Sequence, residues 1–345
     1  MARPLEAIAA QPQMRERVRA YPGTLTYLDL IAKNKRSSTL LMIFMVILAM
    51  LMGCVIVAAV VAYGGASAPE QLVPSAVMGG VAGLGAALVV MAWSWFGGAS
   101  AILSMSGARP ITPEEDLELY NVVEEMAIAA GLPMPRVFII EETALNAFAT
   151  GRDPQHAAVA ITSGLRARLN REELQGVIAH EMAHVRHLDI RFAMLMATMV
   201  GLIVFAADAF WRILRHTRPG RGGRRGGKDG GGAIVLVLLI LAIILSIVAP
   251  IVARMVQMAY SREREYLADA GAVELTRNPE GLASALAKLA DDNEPLIEKA
   301  NRGTAHLFIV NPLRKMREAH QRLDSMFASH PPIQERIARL MALAR

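Results

Sequence analysis

The sequence predicts a mainly helical (mainly α) membrane protein with about four transmembrane helices and a cytoplasmic α+β domain. The first observation behind this prediction is composition, because 54% of the 345 residues are hydrophobic and only 19% are charged. The second is that the apolar residues are gathered into long uncharged runs. Such a composition excludes intrinsic disorder, and the single cysteine, Cys54, excludes a disulfide scaffold.

Four apolar runs predict the membrane-spanning helices. Residues 38–63 carry no charge and exceed the roughly 20 apolar residues that a helix needs to cross a bilayer core. Residues 71–108 are rich in glycine and alanine, which suits close packing of helices in lipid. The run at 192–207 is shorter, and a buried helix of a soluble core is the alternative for it. Residues 233–253 form the fourth run, interrupted by Pro250.

The charges around the first hairpin predict its orientation. Residues 1–37 carry seven Lys or Arg against three acids, whereas the link at 64–75 carries no Lys or Arg. Basic flanks stay in the cytoplasm, so we expect a cytoplasmic N-terminus in a multi-pass protein of the cell (inner) membrane. The first run is longer than the core of a signal peptide, which favours a retained anchor.

One basic segment conflicts with four complete crossings. Residues 212–232 contain seven Lys or Arg and one acid, and four crossings place them outside, against the positive-inside rule. Either the first hairpin fixes the orientation regardless, or residues 192–253 enter the bilayer without crossing it. This Arg/Gly-rich loop lacks the interleaved aromatic residues that stack on bases. We therefore expect its charge to face the lipid surface, with no nucleic acid as a partner.

These runs divide the chain into five segments with different expected environments. They are a cytoplasmic N-terminal segment at 1–37, a transmembrane hairpin at 38–107, the first part of the soluble domain at 108–190, a second membrane hairpin at 191–253 containing the loop 212–232, and the second part of the soluble domain at 254–345.

The soluble segments mix helix and strand signals. Helices are predicted where apolar residues recur every three to four positions, and strands where short apolar runs are rich in β-branched residues. The first helix is expected to begin after Thr112 and to end at Gly131. The predicted helices cover residues 113–130, 170–187, 278–291 and 333–343, and the predicted strands cover residues 135–141 and 157–162.

The strongest motif lies in the predicted helix at 170–187, which Asn170 and Glu173 open with the spacing of a capping box. His180 and His184 are four residues apart, so both imidazoles lie on one helix face and can reach one metal ion. Glu181 stands beside them, where it can take a proton from a metal-bound water. This His-Glu-x-x-His spacing is that of zinc proteases, in which zinc lowers the pKa of water to about 7.

A catalytic zinc site of this kind needs a third protein ligand. His187 is only three residues beyond His184 and would crowd the site. Glu265 and Glu263 follow the last apolar run on a predicted helix, and the residues alone leave both open, with Glu265 preferred. Asp269, one turn beyond Glu265, can orient a ligating histidine by accepting a hydrogen bond from its other ring nitrogen.

Five motifs together carry a family resemblance. They are residues 146–151 (Asn-Ala-Phe-Ala-Thr-Gly), the histidine motif continuing to Asp189, and residues 261–269, 278–281 and 329–336. With them the chain resembles the HtpX family of integral-membrane zinc metalloproteases, relatives of the CAAX prenyl proteases. The resemblance implies Glu265 as the third ligand, one zinc ion (Zn2+) per chain and a gluzincin-like metalloprotease domain on the cytoplasmic side.

Asn146, His330 and Arg336 are further candidates for the site. The resemblance implies that Asn146 lies at an edge strand that pairs with an extended substrate, whereas the residue type alone favours a turn. His330 and Arg336 stand on either side of a Pro-Pro pair that starts the last helix. Each can donate to the oxyanion of a tetrahedral intermediate, or can be an ordinary solvated residue at a helix start.

The sequence therefore predicts a zinc-dependent membrane endopeptidase. The resemblance implies misfolded or damaged proteins as its substrates, so the expected partners are protein or peptide substrates and membrane lipid. One alternative is a CAAX-type processing protease. The other is a catalytically inactive membrane scaffold whose Arg/Gly-rich loop binds anionic lipid. The presence of all three metal ligands together with Glu181 argues against the scaffold.

Overall fold

The structure is a computed structural model that describes residues 27–66, 68–216, 231–291 and 331–344. Helices predominate, and one small sheet contains all the strands of the described residues. In chain order the elements are α1 Tyr27–Tyr63, α2 Pro69–Met105, β1 Ala108–Pro110, α3 Leu117–Ala130, β2 Arg136–Ile140, β3 Ala147–Thr150, a 3-10 turn Pro154–His156, β4 Ala158–Thr162, α4 Ser163–Arg168, α5 Arg171–Arg186, α6 Asp189–His216, α7 Gly231–Thr276, α8 Pro279–Asp291 and α9 Ile333–Leu343.

Four of these helices are long and apolar enough to cross a membrane, which confirms the prediction of four candidate spans. The spans are Lys35–Tyr63, Pro69–Met105, Asp189–His216 and Ala233–Val256. The third is 28 residues long, because the helix continues through Asp208 instead of ending there. At 1.5 Å per residue such a helix exceeds the roughly 30 Å of a hydrocarbon core, so its length suits a full crossing.

The apolar helices form one compact unit, residues 36–94 and 195–257. Within this unit, α1 and α2 approach each other backbone to backbone at glycines. A Cβ atom on Gly53 would lie 2.1 Å from the carbonyl oxygen of Gly79, and one on Gly79 would lie 2.2 Å from that of Gly53. Only residues without a side chain permit this approach, which is a common packing device of helices in lipid.

The sheet belongs to a second compact unit, which among the described residues comprises 27–35, 95–194, 258–291 and 331–344. The strand order is β1-β2-β4-β3, with β2 and β4 parallel and with β1 and β3 antiparallel to their neighbours. Strand β3 therefore lies at an edge of the sheet. An edge strand presents backbone N–H and C=O groups to which a further strand can be added.

Both faces of the sheet are covered by helices. Alternate residues such as Val159 and Ile161 face the main core, where residues of α3, α5, α8 and α9 pack against them. Phe138 and Phe148 face the other side and cluster with Ile102 from the end of α2. This alternation follows from the twofold side-chain period of a strand, so that side chains on both faces of the sheet are buried.

Helix α5 has the predicted capping box at its start. The Asn170 side chain accepts from the backbone N–H of Glu173 at 2.9 Å, and Oε2 of Glu173 accepts from the backbone N–H of Asn170 at 2.9 Å. Leu174, Val177 and Ile178 of the same helix are fully buried in the main core. Capping and burial together fix where α5 begins and which of its faces points inward.

Two strands and one helix start differ from the sequence prediction. Strands β1 (Ala-Arg-Pro) and β3 (Ala-Phe-Ala-Thr) have three and four residues, too few to show the run of β-branched residues that predicts a strand. Helix α3 begins at Leu117 because Asp116 caps it, accepting from Leu119 N–H at 3.0 Å, so the prediction of a start after Thr112 is wrong. The helix ends, as predicted, at Gly131, whose φ of 66° is left-handed.

Candidate metal centre and active site

Helices α5 and α7 bring the three predicted metal ligands together. One ligand atom from each of His180, His184 and Glu265 lies within 4.8 Å of the others, and the described residues contain no second group of this kind. Nε2 of His180 lies 3.6 Å from Oε2 of Glu265, and Nε2 of His184 lies 3.7 Å from Oε1. His187 is buried but is not a member of the group. The side chain of Glu263 lies outside the described residues.

In both His180 and His184, the ring nitrogen that faces away from the ligand cluster, Nδ1, contacts a carboxylate. Nδ1 of His180 lies 3.0 Å from Oδ1 of Asp269, and Nδ1 of His184 lies 2.9 Å from Oδ2 of Asp189. Such contacts fix the tautomer and the ring orientation, and they leave Nε2 to face the ligand cluster. The sequence predicts this role for Asp269. The corresponding role of Asp189 was not predicted, and the sequence feature that could have indicated it is its position five residues beyond His184.

Arg336 lies between two carboxylates, completely buried. Its Nε and Nη2 donate to Asp269 at 2.9 and 2.7 Å, and its Nη1 lies 3.1 Å from Oε2 of Glu265. The sequence predicts Arg336 as a site residue, and the structure brings it to the ligands. Its predicted donation to an oxyanion stays a prediction. His330 lies outside the described residues.

The buried charges shift the pKa values of the site. Burial disfavours a charged imidazole at His180, but hydrogen bonds to Asp269 and Glu265 outweigh it and raise the pKa to about 9. Burial also opposes the ionised form of Asp269, yet Arg336 and His180 hold the pKa of that carboxyl below its usual value. Asp269 is therefore ionised at neutral pH, as the acceptor of two strong hydrogen bonds must be.

The predicted catalytic base contacts the edge strand. Oε2 of Glu181, a buried carboxylate, accepts from the backbone N–H of Ala149 in β3 at 2.7 Å. Asn146, just before β3, is buried. Its backbone N–H donates to Oγ1 of Thr162 at 2.9 Å, and its carbonyl oxygen accepts from the backbone N–H of Thr162 at 2.9 Å. Asn146 therefore directly precedes the edge strand β3, and its contact with a substrate stays a prediction.

The donor set suits one divalent cation. Two imidazole nitrogens and a carboxylate oxygen are donors that zinc prefers. At the site itself, the buried charged side chains comprise four carboxylates and two guanidiniums, which leaves an excess of two negative charges once both histidines are neutral, as metal ligands must be. They are Glu181, Asp189, Glu265 and Asp269 with Arg264 and Arg336. Since uncompensated buried charge is costly, a dication in the cluster matches the electrostatics of the surrounding residues.

Comparisons with known proteins place the chain in a family. Residues 113–344 match the family described as Peptidase family M48. A protein named "Protease HtpX homolog" from Ligilactobacillus salivarius is 42% identical over 314 residues, which are 90% of this chain and 97% of the relative. A protein of the same name from Lactiplantibacillus plantarum is 44% identical over 317 residues, again 90% and 97%.

Two further relatives cover less of the sequence. A "Protease HtpX homolog" from Thermoanaerobacter pseudethanolicus is 46% identical over 241 residues, 70% of this chain and 77% of the relative. The crystal structure of S. mikatae Ste24p is 19% identical, with a TM-score of 0.46, over 73% of this chain and 56% of that chain. From the family match and the long, similar relatives, it follows that this chain is a membrane metalloprotease that belongs to the HtpX proteases of peptidase family M48.

Proposed function

We propose that this metalloprotease is a zinc-dependent endopeptidase that hydrolyses peptide bonds of misfolded or damaged proteins with a water molecule activated by zinc and Glu181. The observation that carries the proposal is the convergence of a three-donor cluster with a buried carboxylate and an edge strand. His180, His184 and Glu265 would hold the zinc ion. Zinc in this position supplies Lewis acidity, which lowers the pKa of water and polarises a scissile carbonyl.

Glu181 is the general base in this proposal. It accepts the proton of the attacking water and then delivers it to the leaving amine, which is the usual role of a carboxylate between two ligating histidines. The N–H of Ala149 donates to its Oε2 and so restricts the rotation of the carboxylate. A base held in this way needs little reorganisation before it takes the proton.

Strand β3 is the proposed binding edge for the substrate. An extended peptide that adds to this edge would be held by hydrogen bonds to backbone groups of β3 other than the N–H groups of Ala147 and Ala149, which donate to Asn146 and Glu181. Such backbone bonds read little of the side-chain sequence of the peptide. Asn146 is then a substrate contact at the start of the strand. Recognition of backbone suits unfolded segments of many proteins, which supports misfolded proteins as the substrate class.

The catalytic unit is proposed to face the cytoplasm. The support is the excess of Lys and Arg in residues 1–37 over the link 64–75. Lipid of the inner membrane is then a constant partner of the four apolar helices, and membrane proteins with unfolded cytoplasmic segments are within reach.

A cleavage assay of Glu181→Gln tests the mechanism. In detergent, the variant should keep one zinc per chain and lose activity on unfolded casein by about 10²–10⁴-fold, because only proton transfer is removed. Chelator should abolish the wild-type activity, and zinc should restore it. Cleavage by the variant at the wild-type rate would contradict the proposed role of Glu181.

The purified wild-type protein also distinguishes the proposed function from its two alternatives, a CAAX-type processing protease and an inactive scaffold. Efficient cleavage of prenylated peptides with little activity on unfolded proteins would favour a CAAX-type processing protease. A purified wild type that holds little zinc and gains no activity when zinc is added would favour the inactive scaffold.

A further inference from the structure

We propose that Arg264 is a positioning residue of the metal centre, which holds His184 in its ligating orientation through Asp189. This inference rests on the proposed function, because it takes His184 as a zinc ligand. It goes further by assigning the support of one ligand to a residue outside the three-ligand cluster.

The two carboxylate oxygens of Asp189 contact different partners, His184 and Arg264. Oδ2 lies 2.9 Å from Nδ1 of His184, and Oδ1 accepts a hydrogen bond from Nη1 of Arg264. Asp189 and Arg264 are each 5% exposed, so solvent does not screen the pair. In such surroundings a guanidinium determines where a carboxylate points, and the carboxylate in turn determines the orientation of the imidazole.

A second contact fixes Arg264 itself. Its guanidinium carbon lies 4.7 Å from the centroid of the Phe192 ring, and Phe192 is buried. Phe192 and Asp189 are three residues apart, one turn of α6. Arg264 therefore contacts two side chains of the same helical turn, one by charge and one by stacking, which lysine would not reproduce.

The turn before Asp189 also needs such an external contact. Leu188 has a φ of 62°, a left-handed conformation that non-glycine residues seldom adopt. Conformations of this kind persist where surrounding contacts over-determine them. The turn brings Asp189 back to His184, and the Arg264–Asp189 pair is a buried contact that holds the turn in place.

His180 is held by a similar carboxylate and guanidinium pair. His180 is held by Asp269, which in turn accepts from Arg336. Each ligating histidine thus has its own carboxylate and its own guanidinium. Because Arg264 immediately precedes Glu265 in α7, one helical segment supplies both the third ligand and the support of His184.

Zinc affinity tests the proposal without relying on turnover. We would measure the zinc dissociation constant of purified Arg264→Gln, Asp189→Asn and the double variant by competition with a chromophoric chelator. Each single variant should bind zinc about 10–100-fold more weakly, the usual effect of removing a partner of a ligating histidine. If Arg264 acts through Asp189, adding Arg264→Gln to Asp189→Asn should change the affinity by less than about twofold. Full additivity, or wild-type affinity in folded Arg264→Gln, would overturn the proposal.

Arg186→Gln is the matched control. Arg186 pairs with Glu274 at 3.3 Å and so also links α5 to α7, but the pair is partly exposed and holds no ligand. The control should keep the zinc affinity within about twofold of wild type, as expected for a surface pair. An equal loss in the control and in Arg264→Gln would assign both residues a merely structural role and overturn the proposal.

A second variant covers the case in which Arg264→Gln fails to fold. Arg264→Lys keeps the charge, so it should fold, bind zinc a few-fold more weakly than wild type, and change the absorption spectrum of the cobalt-substituted protein. An unchanged affinity and spectrum would overturn the proposal. Failure of the proposed function gives a different result, because then wild type binds no zinc or His184→Ala binds it as tightly as wild type.

Discussion

At the residue scale, the metal ligands are held in place by charged side chains that are buried away from solvent. The guanidinium of Arg336 is completely buried between the carboxylates of Asp269 and Glu265. Burying such a group costs several kcal/mol, which pairing offsets only when the geometry is good. The consequence is asymmetric, because removing one partner leaves the other charge buried and uncompensated.

Arg336→Met is therefore expected to destabilise the protein by about 3–5 kcal/mol. The physical reason is that the buried carboxylates of Asp269 and Glu265 lose their shared cationic partner, and not a loss of packing. Chemical denaturation in detergent, with chelator present so that metal binding does not contribute, measures the change in free energy of unfolding. Arg339→Met is the control from the same helix, since Arg339 is partly exposed, pairs with Glu335 and stacks on Tyr266. A loss in the control as large as in Arg336→Met would contradict this account.

At the scale of elements, one buried side chain joins the start of α5 to α8. Glu173 completes the capping box, and its carboxylate also accepts from Ser284 Oγ at 2.7 Å and Lys288 Nζ at 2.6 Å. Burial opposes the ionised form, but these donors together lower the pKa of Glu173 below its usual 4.5. The ligating histidines lie further along α5, so the start of that helix contributes to their position.

Because the pKa of Glu173 is lowered in the folded protein, its contribution to stability is predicted to depend on pH. A carboxyl with a lowered folded pKa stabilises the protein above its unfolded pKa of about 4.5, and this contribution disappears as the pH falls through the folded value. Glu173→Gln should therefore lose about 1–3 kcal/mol of unfolding free energy at pH 7. The difference from wild type should narrow below about pH 4.5.

Glu125→Gln is the control for this measurement. Glu125 of α3 accepts hydrogen bonds from Arg171 and Gln175, which lie in α5 like Glu173, but the Glu125 side chain is 41% exposed. Its replacement should change the unfolding free energy by less than about 1 kcal/mol. The account of Glu173 would be wrong if its variant lost the same amount at pH 7 and at pH 4.

The α1–α2 hairpin depends on the backbone contact of Gly53 and Gly79. A side chain at Gly79 would collide with backbone, which cannot move aside as a flexible side chain can. Gly79→Val should therefore destabilise the hairpin by about 1–3 kcal/mol or more, the range for overpacked positions. Gly85→Val, where a Cβ meets nothing within 4 Å, is the matched control in the same helix and should stay within about 0.5 kcal/mol. Thermal unfolding in detergent compares the two, and equal midpoints would refute this role of the glycines.

At the scale of the whole molecule, the orientation in the membrane is predicted from where the charges lie along the chain. Residues 1–37 and the segment 212–232 contain more basic than acidic residues, whereas the remainder of the chain is net acidic. The positive balance therefore belongs to segments that flank apolar helices, which is typical of attraction to anionic lipid. The charge of the segment 212–232 disagrees with four full crossings.

Cysteine labelling tests the predicted orientation. In a Cys54→Ala background, Ala68→Cys in the exposed link between α1 and α2 should react with a membrane-impermeant maleimide in intact spheroplasts. Ala129→Cys, exposed on α3 of the catalytic unit, should react only after the membrane is permeabilised. Labelling in the reverse order would place the catalytic unit outside and refute the prediction.

The sequence by itself determined the features that depend on residues close together along the chain. The four apolar helices follow from long apolar runs, and the ligand spacing of His180 and His184 follows from the helical period. The capping box of α5 was likewise predicted from two residues three positions apart. These features need only local periodicity, so the sequence was sufficient for them.

Only the tertiary structure decided which residues support the ligands and which strand lies at an edge of the sheet beside Glu181. Arg264 reaches Asp189 across 75 positions of the chain, and Arg336 reaches Asp269 across 67. The edge position of β3 depends on its pairing with β4 and not on its own alanine-rich sequence. Such contacts arise from the packing of α5, α6, α7 and α9, and a buried charge finds its partner only when packing brings the two together and excludes water.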